Sequence, residues 1–133
     1  MGAVSGYLLD THVLLWAVQE DHKLSPAAHA VIEQLDNRLY VSAISAFEIG
    51  NKYRLGKLPE YSYVVENYLE IVHKLGVMEL PVHSSHAWYA AKAEWAHRDP
   101  FDRILAAQAA LENLMLITGD AAFSGLPWVS VFW

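Results

Sequence analysis

The sequence predicts an α/β fold: one domain, residues 1–133, in three layers around a central parallel sheet of four to five strands. Three observations predict it. Short apolar runs alternate along the chain with longer stretches of helical period. Strands that alternate with helices imply a parallel sheet covered on both faces. No repeat, linker or low-complexity segment divides the 133 residues, a length that holds one substantial core.

The elements follow in order. Tyr7-Leu8-Leu9 reads as a buried strand ending at Asp10, and Thr11 to Gln19 continues as a helix. Ser25-Pro26 is a helix cap with proline in the first helical position, opening a helix toward Leu35. Leu39 to Ser42 is a second strand. Ser45 to Leu55 is a helix with Ala46, Ile49, Gly50 and Tyr53 on one stripe. Tyr63 to Leu75 is a helix stopped by Gly76. Val77 to Val82 is a third strand that Pro81 confines to an edge or ends early. His83 to Trp95 and Pro100 to Leu111 are helices, Leu114 to Ile117 is a strand ending near Asp120, and Trp128 to Trp133 is the last strand.

Composition narrows the function classes. The chain is 54% hydrophobic and 18% charged, which excludes a disordered protein. Nine basic against fifteen acidic residues give a formal charge of -6, unsuited to coating nucleic acid or anionic membrane with positive charge. There is no cysteine, hence no disulfide and no cysteine-based zinc site. Met1 to Asp10 carries no basic region ahead of its apolar run, and Val13 to Val18 is far too short to cross a bilayer. A cytoplasmic protein without a membrane span is the expectation.

The acids fall in a pattern. In a parallel sheet, the C-terminal strand ends and the following helix N-termini share one edge, where ligands bind. Asp10 and Asp120 end strands, Glu48 lies early in the helix after the second strand, and Asp99 and Asp102 bracket a helix start. Each has a purely structural alternative. Ser45-Ala46-Phe47-Glu48 matches a capping box, Asp99-Pro100-Phe101-Asp102 a second helix start, and Glu48 can pair with Lys52 one turn on. Asp10 and Asp120 fit caps or turns. Convergence argues for more, because crowded carboxylates repel unless cations neutralise them. Hard oxygen ligands without His or Cys neighbours suit Mg²⁺, with Mn²⁺ as a substitute, and such a site serves phosphodiester hydrolysis.

At these residues the sequence resembles the PIN-domain nucleases, specifically the VapC toxins of prokaryotic toxin–antitoxin pairs. The matching segments are Leu8 to Trp16, Ser45-Ala46-Phe47-Glu48-Ile49 with Gly56-Lys57-Leu58, His97 to Arg103, and Ile117-Thr118-Gly119-Asp120 with Phe123. The resemblance implies a PIN-like α/β/α sandwich and a magnesium-dependent endoribonuclease. Its acid quartet maps to Asp10, Glu48, Asp102 and Asp120, as both catalytic residues and metal ligands. Asp99 is an additional acid, a helix cap or an outer metal contact. Asp10 and Asp102 are expected as the most direct ligands, and Thr11 and Thr118 as residues that orient carboxylates or water. Phe47 stands where relatives often carry Trp, a change of packing aromatic only. The family also implies an RNA substrate, a VapB-type antitoxin and a homodimer.

Lys52, Arg54, Lys57, Arg98 and Arg103 lie close in sequence to the acids; Lys52, Arg54, Arg98 and Arg103 are the candidates to hold RNA phosphates. His83 and His86 lack a metalloprotease partner and read as surface or interface histidines; His12, beside Asp10, reads as a partly buried helix residue, with contact to RNA or a phosphate as the alternative. Trp88, Tyr89, Trp95 and the tyrosines 61, 63 and 68 are mostly core, with any exposed remainder suited to a dimer face or antitoxin groove. A PIN-type nuclease outside a toxin system is the alternative enzyme. A receiver-like signalling module needs a lysine at a late strand end, and none is there. The acidic balance then reads as a demand for metal: two divalent ions contribute about +4 of local charge to such a cleft.

Overall fold

The computed structural model describes residues 3–133; residues 1 and 2, part of the expected domain and of the segment read for targeting signals, lie outside the described residues. Five strands form one parallel sheet: Gly6–Leu9 (β1), Leu39–Ser42 (β2), Met78–Leu80 (β3), Leu114–Ile117 (β4) and Val131–Phe132 (β5), in the order β3-β2-β1-β4-β5. Seven α-helices among the described residues accompany it: Thr11–Gln19 (α1), Pro26–Glu33 (α2), Ala43–Arg54 (α3), Ser62–Glu66 (α4), Tyr68–Leu75 (α5), Ser84–Lys92 (α6) and Pro100–Leu111 (α7). The expected α/β/α sandwich is the fold. No helix among the described residues is long and apolar enough to cross a membrane.

Period-two alternation splits the apolar residues between two cores. Leu8 and Leu116 face α7 with Leu105, Ala106, Ala109 and Phe123, while Leu9, Val41 and Ile117 face Val13, Leu14, Ile49 and the α4–α5 residues Val64 and Ile71. The ladder joins β1 to β2 through Leu9 opposite Val41, and to β4 through Leu9 opposite Ile117. The C-terminal ends of the three central strands therefore emerge side by side.

Several expected boundaries move, each for a local reason. Chain passes from β2 into α3 without a loop, because Ser42, still the last strand residue, caps the helix by accepting from Ile44 N–H at 3.0 Å. Ser45 is thus no cap: it lies inside α3, fully buried, its hydroxyl 2.8 Å from that of Thr11. Of the stripe Ala46, Ile49, Gly50 and Tyr53, only Ile49 is buried and Gly50 is exposed; Ser45, Glu48 and Ile49 are the buried face. The single helix expected over 63–75 breaks at Asn67, whose side-chain amide donates to Tyr63 O at 2.9 Å, a carbonyl that its own N–H also bonds at 3.1 Å. Gly76 ends α5 in the left-handed region, φ 73°.

The helix expected to reach Trp95 stops at Lys92. Arg103 replaces the missing helical donors: its guanidinium donates to the carbonyls of Ala90, Trp95 and His97 at 2.8–2.9 Å and to Ala93 at 2.5 Å. Trp95 then packs on Phe123 and Trp128 instead of extending the helix. His86 is fully buried rather than at the surface; its ring takes the His83 N–H at 3.0 Å and meets Glu112 at 2.8 Å. The third strand shrinks to Met78–Leu80 ahead of Pro81 and is an edge, and the last to Val131–Phe132.

Gly6 fixes the β1–β2 approach: a Cβ there would lie 2.7 Å from the Arg38 carbonyl oxygen, a backbone atom. Gly6→Ala is expected to lower stability in urea melts by about 1–3 kcal/mol. Gly50→Ala, with nothing within 4 Å of the new methyl in a helix interior, is expected to raise it by about 0.5–1 kcal/mol. Equal effects of the two would refute this account of the β1–β2 contact.

Candidate metal and active site

Asp10 follows β1 directly, where its N–H extends the ladder to Ile117 O at 3.0 Å. Although Asp10 precedes α1, its carboxylate makes no capping bond to that helix. It accepts instead from the Thr118 hydroxyl at 2.7 Å, a residue brought alongside by the parallel register of β1 and β4. Thr118 thus orients a carboxylate, as expected. Its oxygen also accepts from Asp120 N–H at 3.1 Å, so one hydroxyl joins both strand-end acids. Thr11 acts differently, tying α1 to α3 through Ser45.

Glu48 comes from the second turn of α3 and is buried. Its Oε2 accepts from Lys52 Nζ at 2.5 Å, the one-turn pairing foreseen as its structural alternative. Its Oε1 is buried with no hydrogen-bond partner among the described residues. Asp99 caps α7, accepting from Phe101 N–H at 2.9 Å and from Asp102 N–H at 3.4 Å. Asp102, one turn in, meets His97 Nε2 at 2.7 Å, and ligand atoms of His97, Asp99 and Asp102 all lie within 4.8 Å of one another.

These groups share one field. Burial pushes the Asp102 carboxyl up to about 6 against the lowering effect of His97, and the charges of Asp99, Asp10 and Glu48 push the same way. Burial also raises Asp10, opposed by the Thr118 hydrogen bond and His12 and reinforced by Glu48. Lys52 is held charged: burial works against it, yet Glu48, Asp99 and Asp102 outweigh burial and raise its pKa. Asp10, Glu48, Asp99 and Asp102 are therefore brought together. Asp120 is exposed and bonds Ala122 N–H at 2.9 Å as a turn residue does, but it lines, with Asp10, a depression of about 260 Å³ formed by His12, Val13, Trp16 and Gly119.

The donor set fits a divalent cation. Four carboxylates lie in one neighbourhood, two of them pushed toward the protonated form, and a buried oxygen of Glu48 has no donor among the described residues. Of the basic candidates, Lys52 faces the acids, while Arg54 and Arg98 are exposed. Arg103 has its guanidinium committed to four backbone carbonyls, which leaves it a structural role instead of the expected phosphate contact. Sequence reasoning missed His97. Its signal was a histidine two residues ahead of a capping aspartate and five ahead of a buried one; Trp95, with ring centroid 4.9 Å away, and Arg103 fix its position.

Asp102 holds its proton more tightly when folded than in the unfolded chain, where the ordinary value of 3.8 applies. Folding without metal therefore takes up a proton between about pH 4 and 6, and stability falls as pH rises through that window, on the order of 3 kcal/mol, with Asp10 adding in the same direction. Urea melts with chelator across pH 4–7 check this, and Asp102→Asn is expected to flatten most of the slope.

The PIN-domain sequence model matches residues 7–129. Among solved structures, the chain is similar to DNA-bound VapBC from Salmonella typhimurium (TM-score 0.71, 18% identity, 96% of each chain covered). It is likewise similar to FitAcB from Neisseria gonorrhoeae (TM-score 0.66, 24% identity, 96% of each chain). A toxin–antitoxin complex from Klebsiella pneumoniae also matches (TM-score 0.61, 18% identity, covering 96% of this chain and 97% of that one). No curated protein matches the chain in sequence.

Proposed function

The chain belongs to the PIN-domain family, and on that premise we propose that it is a divalent-metal-dependent endoribonuclease, the toxin of a type II toxin–antitoxin pair. PIN domains are nucleases, so the reaction class is phosphodiester hydrolysis. The observation that carries the reading is the shared electrostatic neighbourhood of Asp10, Glu48, Asp99 and Asp102, together with a buried oxygen of Glu48 that has no hydrogen-bond donor among the described residues. Asp10, Glu48, Asp102 and Asp120 are the proposed catalytic quartet and metal ligands, with Mg²⁺ as the ion and Mn²⁺ as its substitute. Asp99 is the additional candidate, since the α7 cap occupies only one of its oxygens.

When bound, the metal supplies the positive charge that lowers the pKa of the attacking water and neutralises charge building on the phosphate and leaving oxygen. The chain's own residues prepare for that. Thr118 fixes one oxygen of Asp10, and His97 fixes one oxygen of Asp102, leaving the other oxygen of each as a donor toward a cation. Lys52 holds Glu48 in place and keeps a positive charge beside the acids. Arg54 and Arg98, exposed and close to the acids in sequence, are the proposed phosphate contacts.

The partner side rests on the same family reading. The Salmonella and Klebsiella structures are toxin–antitoxin assemblies. This chain exposes Trp88 and Leu111 beside a groove of about 730 Å³, and Leu35 beside another of about 400 Å³. Apolar surface of this extent suits an antitoxin and a second copy of the chain.

Asp10→Asn is expected to abolish metal-stimulated RNA cleavage while circular dichroism shows an unchanged fold; undiminished cleavage would refute the assignment. In a salt titration of RNA binding by metal-loaded protein, Arg54→Ala and Arg98→Ala are each expected to flatten the log–log slope by about 0.7. An unchanged slope means that these arginines do not touch phosphate.

A further inference from the structure

The depression beside Asp10 and Asp120 has a second wall that supplies no carboxylate. His12 and Trp16 stand one turn apart on α1, on the same face, with ring centroids 6.0 Å apart, and both line the depression. Trp133, beyond β5, stands against Trp16: its ring lies 6.0 Å from that of Trp16 and rests on Gly119, where a Cβ would come within 2.8 Å of the indole. Gly119 lines the depression as well, so the glycine between Thr118 and Asp120 lets an aromatic ring approach the strand end. Trp16 is half-buried, whereas His12 and Trp133 are exposed, Trp133 by 41%. Core packing leaves the outer part of this aromatic ledge uncovered.

We propose that His12, Trp16 and Trp133 form a subsite for one unpaired nucleobase of the RNA strand, adjacent to the phosphate at the carboxylates. The inference rests on the nuclease reading and deepens it by naming what the site takes from its substrate. The rings are tilted to one another, by 47° for His12 and Trp16 and by 55° for Trp16 and Trp133, so a flat heterocycle stacks on one ring face and meets the others edge-on, and the two carboxylates lining the depression place that heterocycle next to the reacting phosphate. The depression, about 260 Å³, is on the scale of a single base. Bases of a duplex are stacked on one another and unavailable to it, so the subsite selects single-stranded loops or ends.

The test is single-turnover cleavage of a single-stranded RNA by metal-loaded protein. It compares wild type with His12→Ala, Trp133→Ala and Trp133→Phe. Removing one stacking partner is expected to raise the half-saturating concentration by about 5- to 150-fold, with Trp133→Phe restoring most of the loss. An abasic linker at each position flanking the cleaved bond locates the base. At one position it is expected to weaken wild type by a similar factor, and to weaken Trp133→Ala much less. An abasic penalty equal in wild type and Trp133→Ala overturns the subsite while leaving the nuclease reading intact. So does a half-saturation unchanged in all three variants, including the case where Trp133→Ala weakens only a protein partner. If metal-loaded wild type cleaves no RNA, the nuclease reading falls and the subsite falls with it.

Discussion

The pairing of β1 with β4 is the interaction on which the site depends. Both strands end at the same level, Leu9 opposite Ile117, and the ladder runs one residue further through the Asp10 N–H. That places Thr118 against the Asp10 carboxylate, while the Thr118 N–H is pinned from the other side by Phe132 O at 3.1 Å. A one-residue slip would exchange the faces of Leu116 and Ile117 and remove Thr118 from Asp10 at once, so the two apolar cores and the polar site enforce the same register. Even the two-residue β5 matters here, because it holds the threonine that joins the strand-end acids.

Crowded carboxylates oppose folding, and the surrounding residues are arranged to limit the cost. Thr118 and His97 each give one acid a hydrogen bond, Lys52 supplies a charge to Glu48, and the backbone amides at the start of α7 satisfy Asp99. What is left over, a raised Asp102 and a buried oxygen of Glu48 without a donor among the described residues, is the unbalanced remainder that a cation would settle.

Much of this was legible in the sequence, and the reasons differ by residue. Strand-end acids could be placed because continuous apolar runs such as Leu114 to Ile117 mark parallel strands, and the Asp99-Pro100 start of α7 is a local signal that tertiary structure did not override. Glu48 was found for its neighbourhood but with the wrong cap, since Ser42 and Ser45 are equivalent as letters and only the absence of a loop after β2 decides between them. Arg103 was unreadable in a different way. A basic residue inside a motif full of acids suggests phosphate, and only the three-dimensional path of residues 90–97 reveals four carbonyls awaiting it. His97 had a local signal in its spacing to Asp99 and Asp102, whereas the buried His86 depends on Glu112, twenty-six residues away and beyond any local pattern.

Arg103 carries a consequence for how this molecule can vary. It grips the segment after α6 through main-chain oxygens, which every amino acid possesses, and through the Trp95 ring 5.9 Å from its guanidinium, so the path of that segment is written in Arg103, Trp95 and His97 and not in the side chains between them. Glu94, Ala96 and Arg98, all exposed, are thereby released from any duty to shape the loop. They form a stretch of sequence beside the acids in which substitutions can accumulate and be sorted by what they bind, while the backbone beneath them keeps the same course.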